Sequence, residues 1–68
     1  MKAILEVLEA HPELDVLIGR DSRGGYGAHL VELDQGDITN WYVFARRSTA
    51  EDALAALATA ANTLLEAA

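Results

Sequence analysis

Two short glycine-bearing stretches, Asp21-Ser22-Arg23-Gly24-Gly25 and Asp34-Gln35-Gly36-Asp37, decide what this chain can fold into. A connection of two to five residues reverses an antiparallel strand pair, whereas a parallel crossover needs about a dozen or more. The glycines supply the positive φ that tight reversals require. The segments on either side of these turns are therefore successive antiparallel strands. In the first, Leu14, Val16 and Ile18 alternate with Asp15, Leu17 and Gly19. The second runs from Tyr26 to Leu33. The third runs from Ile38 to Arg46 and carries Trp41, Tyr42, Val43 and Phe44, residues suited to a pleated surface. Simple alternation puts Ala28 and Leu30 on one face of the second strand, with His29, Val31 and Leu33 on the other. In the third strand it pairs Tyr42 with Phe44 on one face and Trp41 with Val43 on the other.

Helical patterns flank this sheet. Residues Lys2 to Ala10 put Ile4, Leu5 and Leu8 on one side and Glu6 and Glu9 on the other, and His11-Pro12 ends the helix. Ser48-Thr49-Ala50-Glu51 reads as a capping box with Ser48 at the N-cap. The helix it opens is expected to run almost to Ala68. Its apolar stripe is Ala50, Ala53, Leu54, Leu57, Ala61, Leu64 and Leu65, opposite Asp52, Thr59 and Asn62. The expected fold is a single small α+β domain over residues 1–68, ordered α-β-β-β-α. It has a three-stranded antiparallel meander sheet with both helices packed on one face.

At 68 residues such a domain buries only about 60% of the surface its unfolded chain exposes. The absence of cysteine leaves no disulfide to compensate, and it fits a reducing, cytoplasmic setting in a bacterial host cell. The opening MKAILEVLEAHPELD interrupts its apolar residues with Glu6 and Glu9, unlike a secretory signal. No run approaches the ~20 apolar residues that span a bilayer.

The net charge is −6, and the meander distributes it unevenly. The end of the first strand, the start of the second and the end of the third meet at one edge. That edge carries Arg20, Arg23, Arg46 and Arg47. The opposite edge collects Glu13, Asp15, Glu32, Asp34 and Asp37, and the two helices end there with Glu9 and Glu66. Seven carboxylates at one pole repel one another over the ~8 to 10 Å that physiological salt leaves unscreened. These seven are the expected partner-binding residues, and a basic protein surface is the expected partner. Direct nucleic-acid binding and anionic membranes are disfavoured by the same charge. Helices on one side leave the other sheet face uncovered, and an exposed apolar face marks an interface. Homodimerisation is its plainest use.

Signals for catalysis are missing. His11 and His29 have no metal-ligand spacing, and Ser22 and Ser48 have no histidine nearby in the sequence. The glycines of DSRGGYG match neither phosphate-loop pattern and precede a strand. Carboxylate pairs such as Glu51/Asp52 and Glu32/Asp34 would need a cleft to raise one pKa. No enzyme, no metal and no cofactor is expected.

Two resemblances bear on function. Gly24-Gly25-Tyr26-Gly27-Ala28 with Glu32-Leu33, and later Ser48-Thr49-Ala50-Glu51-Asp52-Ala53-Leu54, resembles the N-terminal domain of HicB-type antitoxins, over roughly Leu14 to Leu65. That resemblance implies a module neutralising a small basic ribonuclease toxin. In its profile, a small, acidic, cysteine-free α/β chain is similar to the anti-CRISPR proteins of phages. Several of those mimic DNA by presenting carboxylates in place of phosphates, and so block target-DNA binding by a CRISPR surveillance complex. This inhibitor reading leads, with the antitoxin-like module or a structural homodimer as alternatives.

Overall fold

The computed structural model describes residues 1–66. Helix α1 (Ile4–Ala10) is followed by strands β1 (Leu14–Arg20), β2 (Tyr26–Asp34) and β3 (Asp37–Arg47), and then by helix α2 (Ala50–Glu66). The strands form one antiparallel sheet in the order β1-β2-β3, so the α+β meander expected from the turns is the fold. The expected continuation of the last helix toward Ala68 lies outside the described residues.

Each turn closes for a visible reason. At Gln35-Gly36 both central residues have positive φ, 53° and 84°, the type I′ geometry whose twist matches the flanking strands. In the first turn the Asp21 N–H donates to the Gly25 carbonyl (3.0 Å), and the Gly24 N–H donates back to the Asp21 carbonyl (2.9 Å). Gly25, at φ 75°, lies so near the Arg47 carbonyl that a Cβ there would overlap it. At the end of α1 the His11 N–H donates to the Val7 and Leu8 carbonyls, and its non-helical backbone (φ −132°, ψ 84°) leads into Pro12.

The core lies between the sheet and the helices. Val7, Leu30 and Leu57 are fully buried there among Ile4, Ala28, Ala45, Ala53, Ala58 and Ala61. α2 packs across β2 and β3, and α1 lies against α2. The alanines on α2 let its backbone approach the sheet closely.

Four details differ from simple periodicity. Leu5, expected on the apolar side of α1, is 69% exposed, and Val7 is fully buried in its place. The N-cap of α2 is Thr49, one residue later than expected; its Oγ1 accepts the Asp52 N–H at 3.1 Å. Asn62, assigned by the helical wheel to the solvent side, is 9% exposed. Its Oδ1 accepts the Lys2 N–H at 3.0 Å, while its Nδ2 donates to the Lys2 and Ala58 carbonyls at 2.7 Å each. It is buried because the segment leading into α1 crosses that part of α2. Finally, β3 is irregular. Leu30 pairs with Val43 but Val31 pairs with Trp41, so Tyr42 is an extra residue, and a second shift leaves Thr39 unpaired. The first shift reverses the expected pairing of faces. Val43 joins Ala45 toward the helices, and Trp41 joins Phe44 on the open side.

Candidate functional site

The strand register assembles five of the seven expected partner-binding carboxylates at one end of the sheet. Leu14 pairs with Glu32, which brackets that pair with Glu13 and Asp15, and Asp34 faces Asp37 across the β2–β3 turn. The Leu33 N–H donates to the Glu13 carbonyl at 3.1 Å and ties the α1–β1 connection to the same end. Glu9 lies in the last turn of α1, which delivers the chain to this connection. Glu66 ends α2, whose Leu64 and Leu65 flank Glu13, Leu14, Leu30 and Tyr42 around an apolar hollow of about 220 Å³. Glu32 is half-buried, and its Oε1 accepts from Thr39 and Asn40 at 3.3 and 3.2 Å; the other six are exposed.

Among the described residues, no lysine or arginine nitrogen lies within 4.0 Å of these seven carboxylates. Among the described residues the ionisable partner at this end is His11, whose Nδ1 lies 3.4 Å from Glu13 Oε1. Sequence reasoning missed this contact, because it depends on how the chain turns after Pro12. A second contribution was also missed. Both helices point their C-termini here with no basic residue in either last turn, so their dipoles add negative charge to the carboxylates.

The opposite end is built differently. Asp21 accepts from the Arg23 Nε and Nη2 at 3.0 Å each and from the Arg23 N–H at 2.8 Å. Arg46 Nε approaches its carboxylate at 3.6 Å. The hydrogen bonds from Arg23 hold the Asp21 carboxyl well below the usual carboxylate range, and the same contact raises the Arg23 guanidinium. Arg46 also donates to the Gly24 and Arg23 carbonyls at 3.1 Å each, pinning the β1–β2 turn to β3. Arg20 and Arg47 flank Tyr26 in register, with the Arg20 guanidinium 5.8 Å from the ring centre. Asp21 here, with Glu51 and Asp52 in the first turn of α2, offsets most of the arginine charge. The molecule is thus strongly negative at one end and close to neutral at the other.

A second surface is the sheet face away from the helices. Across it run three rows in register: Asp15–Val31–Trp41, Leu17–His29–Phe44 and Gly19–Gly27–Arg46. The His29 ring meets Trp41 edge-on at 4.9 Å and Phe44 tilted at 4.6 Å. The Phe44 ring lies over Gly27, where a Cβ would fall 2.9 Å from it. Val31 is fully buried outside the helix-side cluster, yet Trp41 is 59% exposed, Phe44 44% and Leu17 38%.

Among the described residues no three His, Asp or Glu side chains gather as a metal ion would require, and no helix is long and apolar enough to cross a membrane. What the molecule offers is charge at one end and apolar area on one face, both suited to contact with another macromolecule. Comparison with family models, curated proteins and solved structures finds no match for this chain.

Proposed function

We propose that this chain is a non-enzymatic inhibitor that imitates the charge of duplex DNA and blocks target-DNA binding by a CRISPR surveillance complex. The single observation that carries the reading is the end formed by Glu9, Glu13, Asp15, Glu32, Asp34, Asp37 and Glu66, where among the described residues no lysine or arginine answers the carboxylates. Duplex DNA presents one negative charge per ~1.7 Å of axis. Carboxylates spread over the rim of a sheet about 14 Å wide, three strands at ~4.8 Å, approach that density. A basic channel shaped for phosphates meets at this rim both charge and carboxylate acceptors that fit arginine forks.

The test is a gel-shift titration of a type I surveillance complex and its target duplex at two salt concentrations. Wild-type protein is expected to abolish the shifted band at low salt and to weaken as salt rises. Reversing Asp34, Asp37 and Glu13 together should remove inhibition while far-UV circular dichroism stays native. Inhibition that survives those reversals, or none at excess protein, refutes the reading.

A second reading, an antitoxin-like module on a small basic ribonuclease, is favoured by the 59% exposure of Trp41 beside Tyr42. It predicts that Trp41→Ala weakens toxin neutralisation more than any charge reversal does.

A further inference from the structure

The geometry points to a second copy of this chain as the occupant of the open sheet face, packed about a two-fold axis that runs across the strands. The inference stands apart from the role of the acidic end.

Exposed aromatic and aliphatic side chains form a continuous row, Leu17–His29–Phe44, with Trp41 beside it, and neither helix covers them. Three strands at ~4.8 Å and seven paired residues at ~3.3 Å give a face of about 14 by 23 Å. Two such faces with their side chains bury on the order of 1,000 Å² in total, the lower limit for a specific interface. Association in the micromolar range follows, because area so small leaves little surplus over the entropy of docking.

Charge selects the symmetry. A two-fold axis along the strands would stack acidic end on acidic end. An axis across the strands sets each acidic end beside the nearly neutral arginine end of the other copy and keeps the two acidic ends far apart. In that arrangement the row Leu17–His29–Phe44 packs on its own mate. Trp41 then comes over the other copy's Arg46 end, where a guanidinium can face its ring. That end of the face also has room. Gly19 and Gly27 floor a hollow of about 310 Å³ bordered by Leu17, Asp21 and His29. An isologous contact of this kind is closed, so assembly stops at the dimer.

Sedimentation equilibrium from 1 to 500 μM tests the assembly. The apparent mass is expected to rise from 7.3 kDa toward twice that value. Trp41→Glu, at an exposed position, should stay monomeric with unchanged circular dichroism. A chain that remains monomeric at 500 μM overturns the inference, as does a dimer that Trp41→Glu leaves intact. A monomer whose Trp41 fluorescence is quenched by an oligothymidine strand also overturns it, in favour of a base-stacking platform. The absence of native cysteine makes a spin label at Ser22→Cys unambiguous. Ser22 lies five residues beyond Leu17, so the axis across the strands separates two labels by roughly 35 Å. A separation of about 10 to 15 Å, one sheet spacing, refutes the proposed symmetry.

Discussion

Replacing Asp37 by lysine should stabilise the fold and weaken binding, and the first effect can be worked from the structure. Asp34 and Asp37 are both exposed and directly opposed across the Gln35-Gly36 turn, and neither side chain has a hydrogen-bond partner among the described contacts. Opposed residues hold their Cβ atoms about 5 Å apart, so a carboxylate separation of ~6 Å is reasonable. With full water screening the repulsion is ~0.7 kcal/mol. A Debye length of ~30 Å at 10 mM salt leaves ~0.6 kcal/mol of it, ~8 Å at 0.15 M leaves ~0.3, and ~3 Å at 1 M leaves ~0.1. Lysine turns repulsion into attraction of like size, so the gain is twice each value: ~1.1, ~0.7 and ~0.2 kcal/mol. In a domain of this size that raises Tm by about 4 to 9 °C at 10 mM salt, 3 to 5 °C at 0.15 M and 1 °C at 1 M. Thermal melts of Asp37→Lys and wild type at the three salt concentrations measure it. A loss of stability, or a gain that does not shrink with salt, refutes the charge reasoning. A stabilised variant that still inhibits at full strength would make the acidic end a solvated rim and not a docking surface.

Three further substitutions probe the rest of the structure. Asp21→Asn removes a carboxylate that its arginine contacts hold below its ordinary range. A carboxyl with a depressed folded pKa stabilises above its unfolded value near 4 and loses that contribution as pH falls. The wild type should therefore exceed Asp21→Asn in Tm by a constant margin from pH 8 to 5, and the margin should close below pH 4; a margin independent of pH down to 2 sinks the assignment. Asn62→Ala leaves the Lys2 N–H and C=O without partners and should cost about 1 to 3 kcal/mol. Urea unfolding measures the loss, and early amide exchange at Ile4 to Val7 should accompany it. Gly25→Ala puts a Cβ against the Arg47 carbonyl at positive φ, so it should destabilise by more than the ~0.4 to 1 kcal/mol that Gly→Ala gains at a compatible site, and Ser22→Ala in the same turn should be near neutral.

The elements were legible because the turns are short and the two periodicities differ. What the sequence did not reveal arises from residues that break period. Val31 and Trp41 share a register position only because Tyr42 is inserted between paired residues, and no local preference of Tyr42 announces a bulge. Asn62 reads as a surface residue on the helical wheel, and only the passage of Lys2 beside it turns its amide inward. The acidic end was readable since Glu32, Asp34 and Asp37 flank a two-residue turn, and register then carries Glu13 and Asp15 to them. His11 beside Glu13 depends on how the α1–β1 connection turns after Pro12, which sequence spacing alone leaves open.

Local rules are obeyed at one end of this molecule and broken at the other, and the asymmetry supports the proposed docking end. At the arginine end each unusual feature is answered. Asp21 has Arg23, the Arg23 and Gly24 carbonyls have Arg46, and the N-terminus of α2 has Thr49 and the carboxylates of Glu51 and Asp52. At the acidic end both helices carry a glutamate in the last turn, where a cation would stabilise them by about 0.3 to 1 kcal/mol each. Asp34 opposes Asp37, and Glu9 and Glu66 have no cation nearby in the helices that carry them. The sheet face adds Trp41 and Phe44, which pack on His29 yet stay 59% and 44% exposed. A domain with so small a core has little stability to spare, so violations gathered at one end and one face support the proposed contacts there. The charge and the apolar face separate in experiment when the face is probed without charge, since Asp37→Lys leaves the face untouched and Trp41→Ala leaves every carboxylate in place.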